Sequence, residues 1–120
     1  MSKSHGSDPE VSDQIRAVVK TAPASAIVLA WQLVVQEAAV VTSQGELDTA
    51  EAFVNAVRQL RDDHCIDRTF ANDLEKLARM LRHSQAVKAA GREIDTRNAK
   101  QYVALAVTAA EKLHGLHLAA

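Results

Sequence analysis

The feature that most constrains the fold is a long apolar segment in the first half of the chain. Residues 24–41 read ASAIVLAWQLVVQEAAVV, and the helix that they predict is apolar on nearly every side. Such a helix must be buried on most sides, so other helices have to surround it. Gln32, Gln36 and Glu37 interrupt the segment, and polar or ionisable groups are costly in hydrocarbon. The pattern therefore predicts a central bundle helix and no membrane insertion.

Start and stop signals divide the rest of the chain into helices joined by short loops. Asp8 before Pro9 predicts the start of a first helix that ends near Lys20, and Pro23 begins a second helix that runs to Thr42. N-caps of the later helices are predicted at three aspartates: Asp48, Asp67 and Asp95. Helix ends are predicted at three glycines: Gly45, Gly91 and Gly115.

The pattern as a whole predicts an all-α fold, an up-down antiparallel bundle of four to five helices, because short loops make consecutive helices neighbours. We expect residues 1–7 to be a disordered leader or an expression remnant, residues 8–115 to form a single domain, and residues 116–120 to be a tail. The predicted core includes six large side chains: Trp31, Phe53, Phe70, Leu77, Leu81 and Tyr102.

Composition limits the classes of partner. The formal net charge is −1, which disfavours general electrostatic binding to nucleic acid or to an anionic membrane. Aromatic residues make up only 3% of the chain, too few for a base-stacking surface. Cys65 is the only cysteine, so an internal disulfide is excluded and a reducing, cytoplasmic location is expected. Glycine-rich phosphate loops and the usual hydrolase motifs are absent from the sequence, and no cofactor is expected.

Basic residues are concentrated between Lys76 and Lys100, where seven lysines and arginines stand against two acids. Arg79, Arg82 and His83 share one predicted helix face, with Lys76 and Lys88 nearby. One interpretation is a site for phosphate, nucleotide or RNA backbone. The other is a solvated face on which Glu75 pairs with Arg79 four residues later.

Two pairs of potential metal ligands suggest a metal site, namely His64 with Cys65 and His114 with His117. Structural zinc needs four ligands at fixed geometry, whereas these pairs fall on separate elements. We therefore expect no metal site and expect Cys65 to be a small buried side chain.

Three stretches together resemble HEPN domains of the bacterial kind with an Ala-Trp helix. Ser25 to Trp31 resembles the second helix of that family, and Leu77 to Arg82 resembles the helix that carries its Arg-x(4–6)-His motif. Glu93-Ile94, followed by Ala99, Tyr102 and Val103, resembles its final helix. The resemblance covers roughly residues 8 to 113.

The resemblance implies a metal-independent ribonuclease that works as a dimer, with the motif Arg and His facing each other across the interface. Arg82 matches the motif Arg, but His83 stands where Asn is expected. The motif His would fall at Lys88 or Ala89, and Val35 occupies the position of an acid that orients the Arg. These three departures indicate a degenerate active site.

The sequence therefore predicts a non-catalytic HEPN-like module that acts by homodimerisation and protein–protein contact in a bacterial regulatory, defence or toxin–antitoxin system. One alternative is an endoribonuclease that uses Arg82 and a displaced His83. Another is weak nucleotide or RNA binding without chemistry at the Arg79 and Arg82 face.

Overall fold

A computed structural model describes residues 9–42, 47 and 49–119, and that part of the chain forms five α-helices and no strand. The helices are α1 (Pro9–Thr21), α2 (Pro23–Thr42), α3 (Ala50–Asp62), α4 (Arg68–Ala89) and α5 (Thr96–Ala119). The predicted all-α bundle is confirmed, and α2 has the predicted bounds. The predicted leader at residues 1–7, Asp8, Gly45 and Asp48 lie outside the described residues.

Helix α2 is the centre of the bundle. It contacts all four other helices and packs most extensively against α5. The buried side of α2 carries small residues, including Ala26, Ala30 and Ala38, and α5 presents Ala106 and Ala110. Small side chains at a helix contact allow the two axes to approach closely. The apolar segment that is most distinctive in the sequence therefore becomes the element around which the others pack.

Five of the six predicted core side chains are buried: Phe53, Phe70, Leu77, Leu81 and Tyr102. Trp31 differs, because it is only partly buried and lies at the edge of the core. Its ring packs edge-on against Phe53, with ring centroids 4.7 Å apart and planes inclined by 62°. The indole is large, and a side chain of that size is seldom covered completely in a small domain.

Local hydrogen bonds define three helix starts. The Oδ1 atom of Asp67 accepts from the Phe70 N–H at 2.7 Å, and that of Asp95 accepts from the Arg97 N–H at 3.0 Å, so both predicted caps are confirmed. The cap predicted at Asp48 is wrong. Thr49 caps α3 instead, because its extended backbone places its hydroxyl oxygen 3.0 Å from the Ala52 N–H.

The two described glycines behave differently. Gly91 has φ +77° and follows the end of α4, as predicted. Gly115 was predicted to end α5, but the helix continues through it to Ala119, so the prediction of a non-helical tail from residue 116 is wrong over residues 116–119. Leu116 packs against the core, and this contact helps to hold the last turn in place despite the cost of an internal glycine.

Candidate functional site

The outer face of α2 is the most distinctive surface of the bundle. All large hydrophobic side chains that are exposed in the described part of the chain lie on it: Val28 (44%), Leu29 (42%) and Val40 (47%). The exposed Ser25, Gln32 and Gln36 complete the face. At 100° per residue these six positions fall within an arc of about 120°.

This outer face carries no charge. Glu37 is the only charged residue of α2, and it lies outside this arc, about 60° beyond Val40, with 5% exposure. Its Oε1 atom is 3.2 Å from the Nδ1 atom of His114 on α5, which is itself mostly buried. A buried carboxylate needs such a partner, and the pair fixes the register of α2 against α5. This contact was not predicted from the sequence.

Two grooves flank the outer face. The groove between α2 and α4 is lined by Val28 and Leu29 on one side and by Leu81, Gln85 and Lys88 on the other. The groove between α2 and α1 is lined by Leu29, Gln32 and Gln36, together with Val11, Gln14 and Val18 of α1. Leu29 and Gln32 line both grooves, so they form the ridge between them. The surface is therefore a ridge with a shallow channel on each side.

Among the described helices, α2 alone is long and apolar enough to cross a membrane, with a mean hydropathy of 1.7 over its most apolar window. The buried helix of a folded bundle satisfies the same test. Its contacts with four helices and its buried Glu37 are what a core helix requires.

The five residues predicted to form one anion site do not all line one cleft, and their binding of an anion stays a prediction: Lys76, Arg79, Arg82, His83 and Lys88. Arg79 and His83 line a cleft between α4 and the start of α5, whereas Lys88 lines the groove between α2 and α4. Lys76 and Arg82 are exposed and line neither. Helix geometry places these residues on different sides of α4, and α2 and α5 cover different sides.

The ion pair predicted between Glu75 and Arg79 does not form. The Oε1 atom of Glu75 is instead 3.3 Å from the Nη2 atom of Arg58 on α3. Arg79 has no carboxylate within ion-pair distance among the described residues, and its side chain is exposed at the cleft. The interhelical pair thus leaves Arg79 available to a ligand.

The α4–α5 cleft has a volume of about 530 Å³. Its rim carries Arg79, His83, Arg92, Glu93, Asp95 and Asn98, and its apolar lining includes Met80, Val87 and Ile94. Ile27 and Tyr102, both almost completely buried, also line it and form its floor. A cleft of several hundred Å³ with apolar walls and a few polar groups is typical of small-molecule sites.

Tyr102 is unusual within this cleft. Its hydroxyl oxygen is buried and has no hydrogen-bond partner among the described residues. Such a group costs about 1–3 kcal/mol of folding free energy when it is left unsatisfied. Burial raises the pKa of Tyr102 above its ordinary value, so the phenol keeps its proton and remains a donor.

The alternative catalytic pair, Arg82 and His83, is not assembled within one chain. His83 lines the α4–α5 cleft and Arg82 does not. Lys88, which stands near the expected position of the motif His, lies in the groove beside α2. A lysine side chain is ordinarily protonated near neutral pH and is a poor substitute for histidine as a general base.

The cysteine and histidine pairs give no metal cluster within the described residues, where no group of three potential ligand side chains comes together. Cys65 was predicted to be buried, but it is exposed. It follows His64, whose φ of +61° turns the chain away from the end of α3 and projects Cys65 to the surface. The side chain of His117 lies outside the described residues.

In comparisons with known proteins, no family model, no curated protein and no solved structure matches this chain.

Proposed function

We propose that this protein is a non-catalytic helical module that forms a homodimer through the outer face of α2. One observation carries the proposal, namely that the exposed large hydrophobic side chains, Val28, Leu29 and Val40, are concentrated on an uncharged helix face. Exposed apolar clusters of this kind usually mark an interaction surface.

A second copy of the chain is the occupant that the chemistry of this face favours. In a two-fold dimer the same patch meets itself, so any charge at its centre would meet a like charge. The outer face of α2 avoids that conflict because its only charged residue is buried. Gln32 and Gln36 carry both a donor and an acceptor, so each can bond to the same residue of a second copy.

The area of the surface indicates how much of the bundle takes part. From residue 25 to residue 40 the helix is about 22 Å long and about 10 Å wide, which is well below the roughly 800 Å² per partner of a standard interface. The two grooves must therefore contribute. Side chains from one α2 would fill the channels beside the other, with α1 and α4 as the outer walls.

The HEPN resemblance supports both parts of the proposal. We infer that the chain is a divergent HEPN-like module. Its three resembling stretches fall on α2, on α4, and on α5 with the connection before it, and their Leu77, Leu81 and Tyr102 are buried. The missing motif histidine, with Lys88 near its expected position, and Val35 in place of the acid favour a member without ribonuclease activity. A cytoplasmic role in a bacterial regulatory, defence or toxin–antitoxin system through a protein partner belongs to the same proposal.

The dimer is tested with a charge placed on the ridge. Leu29→Glu puts two carboxylates against each other across a two-fold interface and should raise the dissociation constant at least about tenfold in sedimentation analysis. Asn55→Glu, on the exposed face of α3, is the matched control and should leave the dissociation constant unchanged. Equal behaviour of the two variants would exclude the outer face of α2 as the interface.

Two further assays test whether lipid rather than a second copy covers the outer face of α2, and whether the protein cleaves RNA. If wild-type protein sediments with anionic vesicles and Leu29→Glu does not, lipid covers this face and the dimer proposal fails. Incubation with structured and single-stranded RNA should leave the RNA intact. Cleavage that is lost in both Arg82→Ala and His83→Ala would instead establish the displaced-histidine ribonuclease.

A further inference from the structure

We propose that the α4–α5 cleft binds a small organic anion with an apolar body, a site separate from the dimer surface on α2. The cleft brings together positive side chains without carboxylate partners, an apolar wall and a buried unsatisfied donor. Each of these three features points to a different part of the same ligand.

The anionic group is indicated by the charges at the rim. Arg79 and Arg92 come from α4 and from the connection that follows it, and neither has an ion pair among the described side chains. His83 adds a third nitrogen-bearing group on the same cleft. Glu93 and Asp95 balance the formal charge of these two arginines, but neither acid is within ion-pair distance of Arg79 or Arg92, so both guanidinium groups remain able to bind an anion.

The donors around the cleft suit a carboxylate or a phosphate. Two guanidinium groups can bind such a head group through charge-assisted hydrogen bonds. The N-terminus of α5, at Asn98, adds the positive end of a helix dipole. The Tyr102 hydroxyl is buried without a partner among the described residues, so it becomes a further donor only to a ligand that moves the side chains covering it.

The side chains that line the cleft indicate the chemistry of the uncharged part of the ligand. Met80, Val87 and Ile94 provide an apolar surface, and the Tyr102 ring is almost completely buried. His83 offers one exposed ring on which a base could stack, but the walls are aliphatic, so an aliphatic anion fits them better than a nucleobase does.

Three probes with the same chain test the charge requirement: octanoate, octyl phosphate and octyltrimethylammonium. In NMR titrations either anion, or both, should shift the amide signals of Val87, Ile94 and Asn98, and the signals that respond identify the preferred head group. The cation should leave these signals unchanged. Equal binding of the cation, or no response to either anion, would overturn the proposal.

Matched variants test the location. Arg79→Met keeps the apolar stem and should weaken binding of the anion at least about tenfold, whereas Arg82→Met, on the same helix but outside the cleft, should not. Tyr102→Phe should weaken binding while leaving the free protein at least as stable, because it removes an unsatisfied hydroxyl. Unchanged affinity in Arg79→Met would exclude the cleft.

The proposed anion site and the proposed dimer can be tested separately. Leu29→Glu alters the outer face of α2 and should bind the anion as wild type does, since Leu29 does not line the cleft. If Leu29→Glu loses the anion and Arg79→Met retains it, the alkyl chain lies on α2 and the cleft assignment is wrong.

Discussion

Helices α2 and α3 both have one side in the core and one side facing outward, but their outward sides differ. The exposed residues of α3 are polar or charged: Glu51, Asn55, Arg58, Gln59 and Asp62. Those of α2 are uncharged, and half of them are large and apolar. Water is a sufficient environment for the α3 surface, whereas the α2 surface retains apolar area that burial against a partner would stabilise.

The two sides of α2 can be compared with one substitution made twice. Val34 is completely buried, and Val34→Ala should lower the free energy of unfolding by about 2 kcal/mol through lost methyl groups and a small cavity. Val40→Ala, at 47% exposure, should change the stability of the monomer by no more than about 0.5 kcal/mol. Urea unfolding measures both, and similar losses would mean that Val40 is covered within one chain.

The buried pair between α2 and α5 should give the next largest effect. Each of Glu37→Ala and His114→Ala removes the contact, so a double-mutant cycle with these two variants should give a coupling energy of about 1 kcal/mol. The cycle removes contributions from other contacts of either residue. A coupling energy near zero would show that the contact does not stabilise the bundle.

The ion pair between Arg58 and Glu75 should contribute least to stability. Arg58 is about half exposed, so Arg58→Ala should cost no more than about 0.5 kcal/mol, and less at high salt. Lys76→Ala is a suitable control, because that exposed lysine has no ion pair among the described residues. A loss that persists in molar salt would contradict the assignment to a screened ion pair.

The same substitution has a larger expected effect on the cleft. Freed from Arg58, Glu75 lies four residues before Arg79 on α4 and can pair with it. Octanoate should therefore bind Arg58→Ala several-fold more weakly than wild type in NMR titration. Unchanged binding would show that Arg58 does not hold Glu75 away from Arg79.

The parts of the fold that were predictable are those determined by local sequence. Apolar periodicity and Pro23 indicate α2, and the short side chains of Asp67 and Asp95 bond to backbone groups two or three residues away. The errors have two causes, a tertiary contact in one case and a local hydrogen bond in the other. At Gly115 a core contact of Leu116 helps to hold the helix, and at the start of α3 Thr49 serves as the cap one residue after the predicted aspartate.

The candidate site was less predictable because tertiary contacts determine it. A helical repeat places Arg79, Arg82 and His83 on roughly one face, but α5 and the preceding connection cover only the side with Arg79 and His83. The partner of Glu75 is on another helix, and that of Glu37 is 77 residues away. One usable signal was present, because a single charge in an apolar helix must find a partner when it is buried.

The central claim is that a second copy of the chain covers the outer face of α2, and the mass of the wild-type protein in solution tests it most directly. Light scattering across a dilution series should give twice the 13.0 kDa chain mass at high concentration and approach one chain mass on dilution. A mass of 13.0 kDa at every concentration up to the limit of solubility would contradict the claim.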